Sequence, residues 1–295
     1  MTPEELVRRR VEAINTGNFE ALGDVFTPDV ITHYGSGEPV HGIDALADLM
    51  SGLAAFRDLA ATIEELAVDG DRVGARYTTR GRQQGEFLGI PNTGASVEFG
   101  GAGIHRIEDG KIAEVWTVDD WAALTRQIRT GHSGAPVSTP SHSMQQASPE
   151  TVARNKQAVS HWINLVNARA FERLSEDWSQ DVTVNQGRDV SETIGLDALV
   201  KLLKMFYVGM PDLQIDVEDV VGAGDIVFLR TSSHGTHLGE LFGIPGTGRP
   251  VSYKGIATYY LADGKITREW FNDDMFALLQ TISPTADNLQ REPVF

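Results

Sequence analysis

An internal repeat constrains this chain more than any other feature. Gly89-Ile90-Pro91-Asn92-Thr93-Gly94 returns as Gly243-Ile244-Pro245-Gly246-Thr247-Gly248, and Asp109-Gly110-Lys111-Ile112 returns as Asp263-Gly264-Lys265-Ile266, each 154 residues later. At the same spacing Trp116 is matched by Trp270, and Asp119-Asp120 by Asp273-Asp274. The offset falls to 153 between Gly42-Ile43-Asp44-Ala45-Leu46 and Gly195-Leu196-Asp197-Ala198-Leu199, and to 152 between Asp29-Val30 and Asp181-Val182. Such single-residue slips belong in loops between fixed elements. The period is far longer than a solenoid repeat, so one globular domain is written twice.

The copies are assigned to residues 1–129 and 149–283, with a flexible linker rich in Ser, Gly, Pro, Thr and Gln at 130–148 and a polar tail at 284–295. At about 130 residues, each copy can bury a core of its own. Each opens with a helix, started by Pro3 and stopped by Gly17 in the first copy and started by Ser148-Pro149 in the second. A second helix begins near Asp44 or Asp197. Strands follow, the clearest being Val97 to Ile107 and Ile112 to Val118, joined by the hairpin sequence Asp109-Gly110. Helical spacing resumes over Asp120 to Arg129 and Asp274 to Ile282. Helices first, strands next and a closing helix make an α+β fold.

Composition narrows the function. The 295 residues are 41% hydrophobic and 22% charged, as in ordinary globular chains. The net charge of −16 is shared between the halves, which disfavours nucleic acid and anionic membrane as partners. With no cysteine there is no disulfide, thiolate metal site or thiol nucleophile. The N-terminal residues lack the apolar core of a signal peptide and no run of about 18 apolar residues occurs, so a cytoplasmic location is expected. Neither a third glycine after Gly101-x-Gly103 or Gly222-x-Gly224 nor a Gly-x-Ser-x-Gly motif is present, against nucleotide binding and an α/β-hydrolase nucleophile.

Gly-Glu-Phe-Leu-Gly-Ile-Pro-x-Thr-Gly at 85–94, its counterpart at 239–248, then Asp-Gly-Lys-Ile and Trp-x-x-x-Asp, resemble the SnoaL-like polyketide cyclases of the nuclear transport factor 2-like superfamily. The resemblance spans both copies. It implies two tandem cone-shaped α+β barrels, each a curved antiparallel sheet wrapped around helices and a deep apolar pocket. It also implies ring closure on a polyketide-like or other small apolar carbonyl substrate by intramolecular aldol chemistry, with no metal or cofactor. The family's general acid/base carries over to Asp120 and Asp274, and a pocket His to His33. Relatives dimerise through their sheets, so the copies are expected to pack as an intrachain pseudo-dimer, the chain being a monomer or a homodimer.

Read as side chains, Trp116, Val118 and Asp120 alternate onto one strand face, ending an apolar wall in a carboxylate whose pKa desolvation would raise. Trp270, Asn272 and Asp274 repeat the pattern, although either Asp could instead cap the helix that follows. His33 or His237 could donate to an enolate oxygen; Asn185, the counterpart of His33, donates but moves no proton. His105 faces Tyr259 across the repeat, and His237 belongs to a Gly-Thr-His motif that the first copy lacks. Tyr34 is placed beside them in the pocket. Each His could equally be a hydrogen-bonded wall residue. His234 and His237 have ligand-like spacing without a nearby carboxylate, so no metal site is assigned. Arg76 and Arg230, matched within apolar strands, are read as structural ion-pair partners, and Glu64, Glu65, Glu218 and Asp219 as a solvated strand end. Two other readings use the same pocket: epoxide opening by a hydrolase or cyclase, and small-molecule binding without catalysis.

Overall fold

A computed structural model describes residues 1–131, 144–185 and 192–283. The expected linker therefore lies mostly outside the described residues, and the expected tail at 284–295 entirely so. In the first copy the elements run α1 (Pro3–Thr16), α2 (Leu22–Val25), β1 (Phe26–Tyr34), β2 (Val40–His41), α3 (Ile43–Ser51), β3 (Phe56–Asp69), β4 (Arg72–Gln83), β5 (Ser96–Glu108), β6 (Lys111–Asp119) and α4 (Trp121–Thr130). The second copy repeats all but α2, as α5 (Pro149–Asn167), β7 (Trp178–Asn185), β8 (Thr193–Ile194), α6 (Leu196–Gly209), β9 (Gln214–Ala223), β10 (Ile226–Thr236), β11 (Pro250–Ala262), β12 (Lys265–Asp273) and α7 (Met275–Ile282).

Local chemistry accounts for the boundaries. Thr2 and Glu5 form a reciprocal capping box at the start of α1, and Gly17 ends it at φ 65°. Ser148 accepts from the Thr151 amide ahead of α5. Both hairpins turn through residues of positive φ, Asp109 and Gly110 at 49° and 73°, Asp263 and Gly264 at 51° and 77°, as the tight turn of a right-twisted hairpin requires.

Each copy forms a six-stranded sheet, in the orders β2-β1-β6-β5-β4-β3 and β8-β7-β12-β11-β10-β9. Two tandem cone-shaped α+β units are present as expected, with two refinements. The sheets are mixed, because β1 runs parallel to β6 and β7 parallel to β12. They are also open cones rather than closed barrels: the two-residue β2 and the long β3 are separate edges with no pairing between them. The parallel pair arises because the chain leaves its opening helices and enters the sheet alongside its last strand.

Both faces of each sheet are covered. One face wraps the helices, as where Leu6, Leu22, Phe26 and Leu46 pack with Ile112 and Val115. The other packs against the second copy: Ala67, Ala102, Ile104 and Val118 share one apolar cluster with Val221, Ile226, Phe228, Ile256, Tyr260 and Trp270. Gly74 admits this approach, since a Cβ there would come within 2.5 Å of the Phe228 ring. The Arg76 guanidinium lies 4.2 Å from the Trp270 ring and that of Arg230 4.6 Å from the Trp116 ring, a reciprocal pair of cation–π contacts across the junction. Arg72 pairs with Asp219 at 3.2 Å, and Lys156 with Asp69 at 2.5 Å. No helix among the described residues is long and apolar enough to cross a membrane.

Candidate active site

In the first copy the helices stand off the sheet and leave a cavity of about 700 Å³, within the range that encloses a drug-sized ligand. Its wall is mainly apolar, with Val11 and Ile14 from α1, Leu46 and Met50 from α3, and Phe99 and Val115 from the sheet. A small polar set faces inward: Arg10, Tyr34, Tyr77, Thr117 and Asp119. Part of the wall comes from the other copy, through Asp274, Phe276, Ala277 and Gln280 of the segment that begins α7.

Asp119 is the last residue of β6, and on that strand Val115, Thr117 and Asp119 point to the cavity. The Tyr34 hydroxyl donates to Asp119 Oδ2 in a short hydrogen bond. Burial is the largest influence on the Asp119 carboxyl and raises its pKa above the ordinary value, while the Tyr34 hydrogen bond and the positive charge of Arg10 oppose the rise. Tyr34 is itself pushed well up, first by burial and then by the adjacent carboxylate. Gly101 stands opposite Asp119 in the β5–β6 ladder, and a Cβ on it would overlap Asp119 Oδ1. Gly255 stands in the same relation to Asp273. The repeat has thus kept a glycine and an aspartate together in both copies.

Behind Tyr77 lies His105, fully buried. Its Nδ1 is 3.0 Å from the Val73 carbonyl, which can only accept, so Nδ1 carries the proton and Nε2 accepts from the Tyr77 hydroxyl at 3.2 Å. Burial depresses the His105 pKa to about 3 and raises that of Tyr77 to about 12, so both stay neutral near pH 7.

The other residues singled out from sequence have other surroundings. Asp120 caps α4, its carboxylate accepting from the Ala123 amide at 2.9 Å. Asp274 caps α7 in the same way and also accepts from the Ser36 amide at 2.7 Å, so it pins the Gly35-Ser36 turn of one copy to the other while bordering the cavity. Gly35 has φ 54°, and a Cβ there would lie 2.5 Å from Asp274 Oδ2, so the contact needs a glycine twice over. His33 stacks on Trp116 at 5.4 Å and meets Glu114 at 2.9 Å on the opposite face of the sheet, away from the cavity. Trp270 lies with Trp116 at the junction between the copies. Asn185 is buried on β7, its Nδ2 3.3 Å from the Glu269 carbonyl. His237 is buried beside the Thr247 hydroxyl, 3.0 Å away, and desolvation lowers its pKa. Glu65, expected at a solvated strand end, is buried and holds Arg76 through contacts of 2.5 and 3.0 Å. No cluster of potential metal ligands occurs among the described residues.

The equivalent hollow of the second copy has only about 60 Å³, room for a few waters. Larger side chains fill it: Trp162 stands for Arg10, Phe271 for Thr117 and Tyr259 for His105, while α6 continues through Phe206 and Tyr207 where α3 has ended. Asp273 and Glu269 face this hollow. Burial raises both carboxyls, Glu269 to about 7 and Asp273 well above the ordinary value, and their mutual repulsion adds to the rise at Asp273.

The sequence model of the SnoaL-like polyketide cyclases matches residues 4–128 and again 156–282. Aklanonic acid methyl ester cyclase DauD of Streptomyces sp. (strain C5) is 33% identical over 150 residues, which are 48% of this chain and 87% of that protein. Aklanonic acid methyl ester cyclase DnrD of Streptomyces peucetius is 32% identical over 148 residues, 47% of this chain and 95% of that protein. Among solved structures, TsrD from Streptomyces laurentii is similar at 32% identity and a TM-score of 0.40, covering 42% of this chain and 92% of that one.

Proposed function

We propose that this chain, which belongs to the SnoaL-like polyketide cyclase family, closes a ring in the cavity of its first copy, with Asp119 moving the proton. The observation that carries the reading is a desolvated carboxylate at the end of an apolar cavity of about 700 Å³, set against about 60 Å³ in the second copy. The two cyclases named above support a polyketide methyl ester as the substrate class, one with an acidic carbon beside a carbonyl as the proposed step requires.

In the proposed step the Asp119 carboxylate takes the proton from that carbon, and the C–H electron pair moves onto the adjacent carbonyl oxygen as an enolate. The enolate carbon then bonds to a second carbonyl carbon of the same molecule. The alkoxide so formed recovers the proton from Asp119, so substrate and product have equal mass. Tyr34 holds the carboxylate in place, and the apolar walls exclude the water that would level its basicity. The second copy acts as a scaffold, contributing Phe276 and Gln280 to the cavity wall and Asp274 to the turn at its rim.

Incubation with aklanonic acid methyl ester is expected to yield a product of unchanged mass and altered chromatographic retention. No conversion of this ester at stoichiometric enzyme would contradict the reading. A second expectation concerns Gly101→Ala, which crowds the Asp119 carboxylate without touching its chemistry. Its kcat should fall roughly 10- to 100-fold with the fold retained by circular dichroism. An unchanged kcat would show that the position of Asp119 is not critical.

A further inference from the structure

The cavity contains a charge that the fold does not require. Arg10 lies on the inner side of α1 among Val7, Val11 and Ile14, and only 7% of it is accessible. It forms no ion pair among the described residues and its Nε has no hydrogen-bond partner, the Tyr77 hydroxyl being the neutral protein group its guanidinium acts on. The guanidinium sits 5.8 Å from the Tyr77 ring and borders the cavity. The wall carboxylate that feels this charge, Asp119, is engaged by Tyr34. Burying a cation in this way costs stability unless something compensates it.

Comparison of the two copies shows that the fold does not require it. At an offset of 152, Val7, Val11 and Ile14 correspond to Val159, Ile163 and Val166, and Arg10 corresponds to Trp162. Trp162 packs edge-to-face on Trp178 at 5.3 Å and on Tyr259 at 6.1 Å and completes an ordinary apolar core. The same helix face thus closes around an indole where the hollow is small and carries a guanidinium where the cavity is large.

We propose that Arg10 binds an anionic oxygen of the ligand, namely the enolate oxygen that develops when Asp119 takes its proton. This deepens the reading given under Proposed function and rests on it for the identity of the reaction. A guanidinium fits the role because it offers a planar set of donors and no acceptor. It is also held in place before the charge develops. The ligand class is then an aromatic molecule with an enolisable or already anionic oxygen, such as a β-dicarbonyl or an ortho-hydroxy carboxylate.

The test uses 1-hydroxy-2-naphthoate as an anionic probe and 2-acetyl-1-naphthol as its neutral counterpart, titrated by fluorescence against the full chain. The parent is expected to bind the anion at least about tenfold more tightly than the neutral probe. Arg10→Met should abolish that preference while leaving the melting temperature unchanged or raised, and Arg10→Lys should restore part of it. Asp119→Asn should keep the preference while losing turnover, which separates failure of this assignment from failure of the proton-transfer reading. The assignment is overturned if Arg10→Met weakens both probes equally, if it lowers the melting temperature as loss of a structural contact would, or if the parent binds neither probe or shows no preference.

Discussion

Glu269→Gln is expected to raise the melting temperature by roughly 5–10 °C at pH 8 and to leave it nearly unchanged at pH 5. Glu269 is 4% exposed, and burial shifts its carboxyl from 4.5 to about 7. Because the folded-state pKa is the higher one, the folded chain binds a proton that the unfolded chain has released between these values. The stability this provides is complete below about pH 4.5 and is lost as pH rises through about 7. Above that, the carboxyl must ionise in a hollow that it shares with Asp273, also shifted upward, at a cost of a few kcal/mol. Gln has nearly the same shape and never ionises, so the difference between variant and parent should open only above neutrality. Thermal melts at the two pH values check this. An equal difference at both would show that Glu269 ionises as freely in the fold as in the unfolded chain.

Much of the architecture was legible because its determinants are local. The offset of 154 revealed the duplication, Asp109-Gly110 fixed a hairpin whose turn has the required positive φ, and Pro3 and Gly17 bracket α1. The parallel placement of β1 beside β6 was not, since nothing in either strand's composition records which way its neighbour runs. The β6 residues that face the cavity, Val115, Thr117 and Asp119, lie one position away from the Trp116, Val118 and Asp120 that the apolar alternation singles out. On β6, alternation identifies an inward face only when the other face is polar. Here the outward face carries Trp116 and Val118 into the junction with the second copy, so both faces are apolar and Trp116 pointed to the wrong one. Asp120, picked out by that alternation, caps α4, whereas its neighbour Asp119 faces the cavity, and Asp274 borders the same cavity from the other copy.

Two signals would have helped. Gly101 with Asp119 recurs as Gly255 with Asp273 at the offset of the repeat, a glycine kept where a carboxylate must fit. Arg10 interrupts the apolar face that Leu6, Ala13 and Ile14 define on α1, and a lone cation at such a position indicates either a buried ion pair or a lined cavity. The difference between the two hollows was harder to foresee. It depends on several substitutions acting together, among them Thr117 to Phe271 and the longer α6, and none of these signals loss of a pocket by itself.

In the proposed reaction one carboxylate, in one of two homologous pockets, moves the proton. Asp119→Asn preserves the shape of the side chain and its contact with Tyr34 but removes the base, and a general base in a desolvated site contributes on the order of 10²- to 10⁴-fold in rate. Asp120→Asn keeps a good helix cap, and Asp273→Asn alters only the small second hollow. In the parent, kcat/KM should rise with pH through the elevated Asp119 pKa, because the base must be ionised to act. The decisive measurement is the single-turnover rate on aklanonic acid methyl ester for the parent and these three variants across pH. The account predicts a loss of about 10³-fold and of the acid limb for Asp119→Asn alone, with Asp120→Asn and Asp273→Asn close to the parent. Retained activity in Asp119→Asn, or an equal loss in Asp273→Asn, would contradict it.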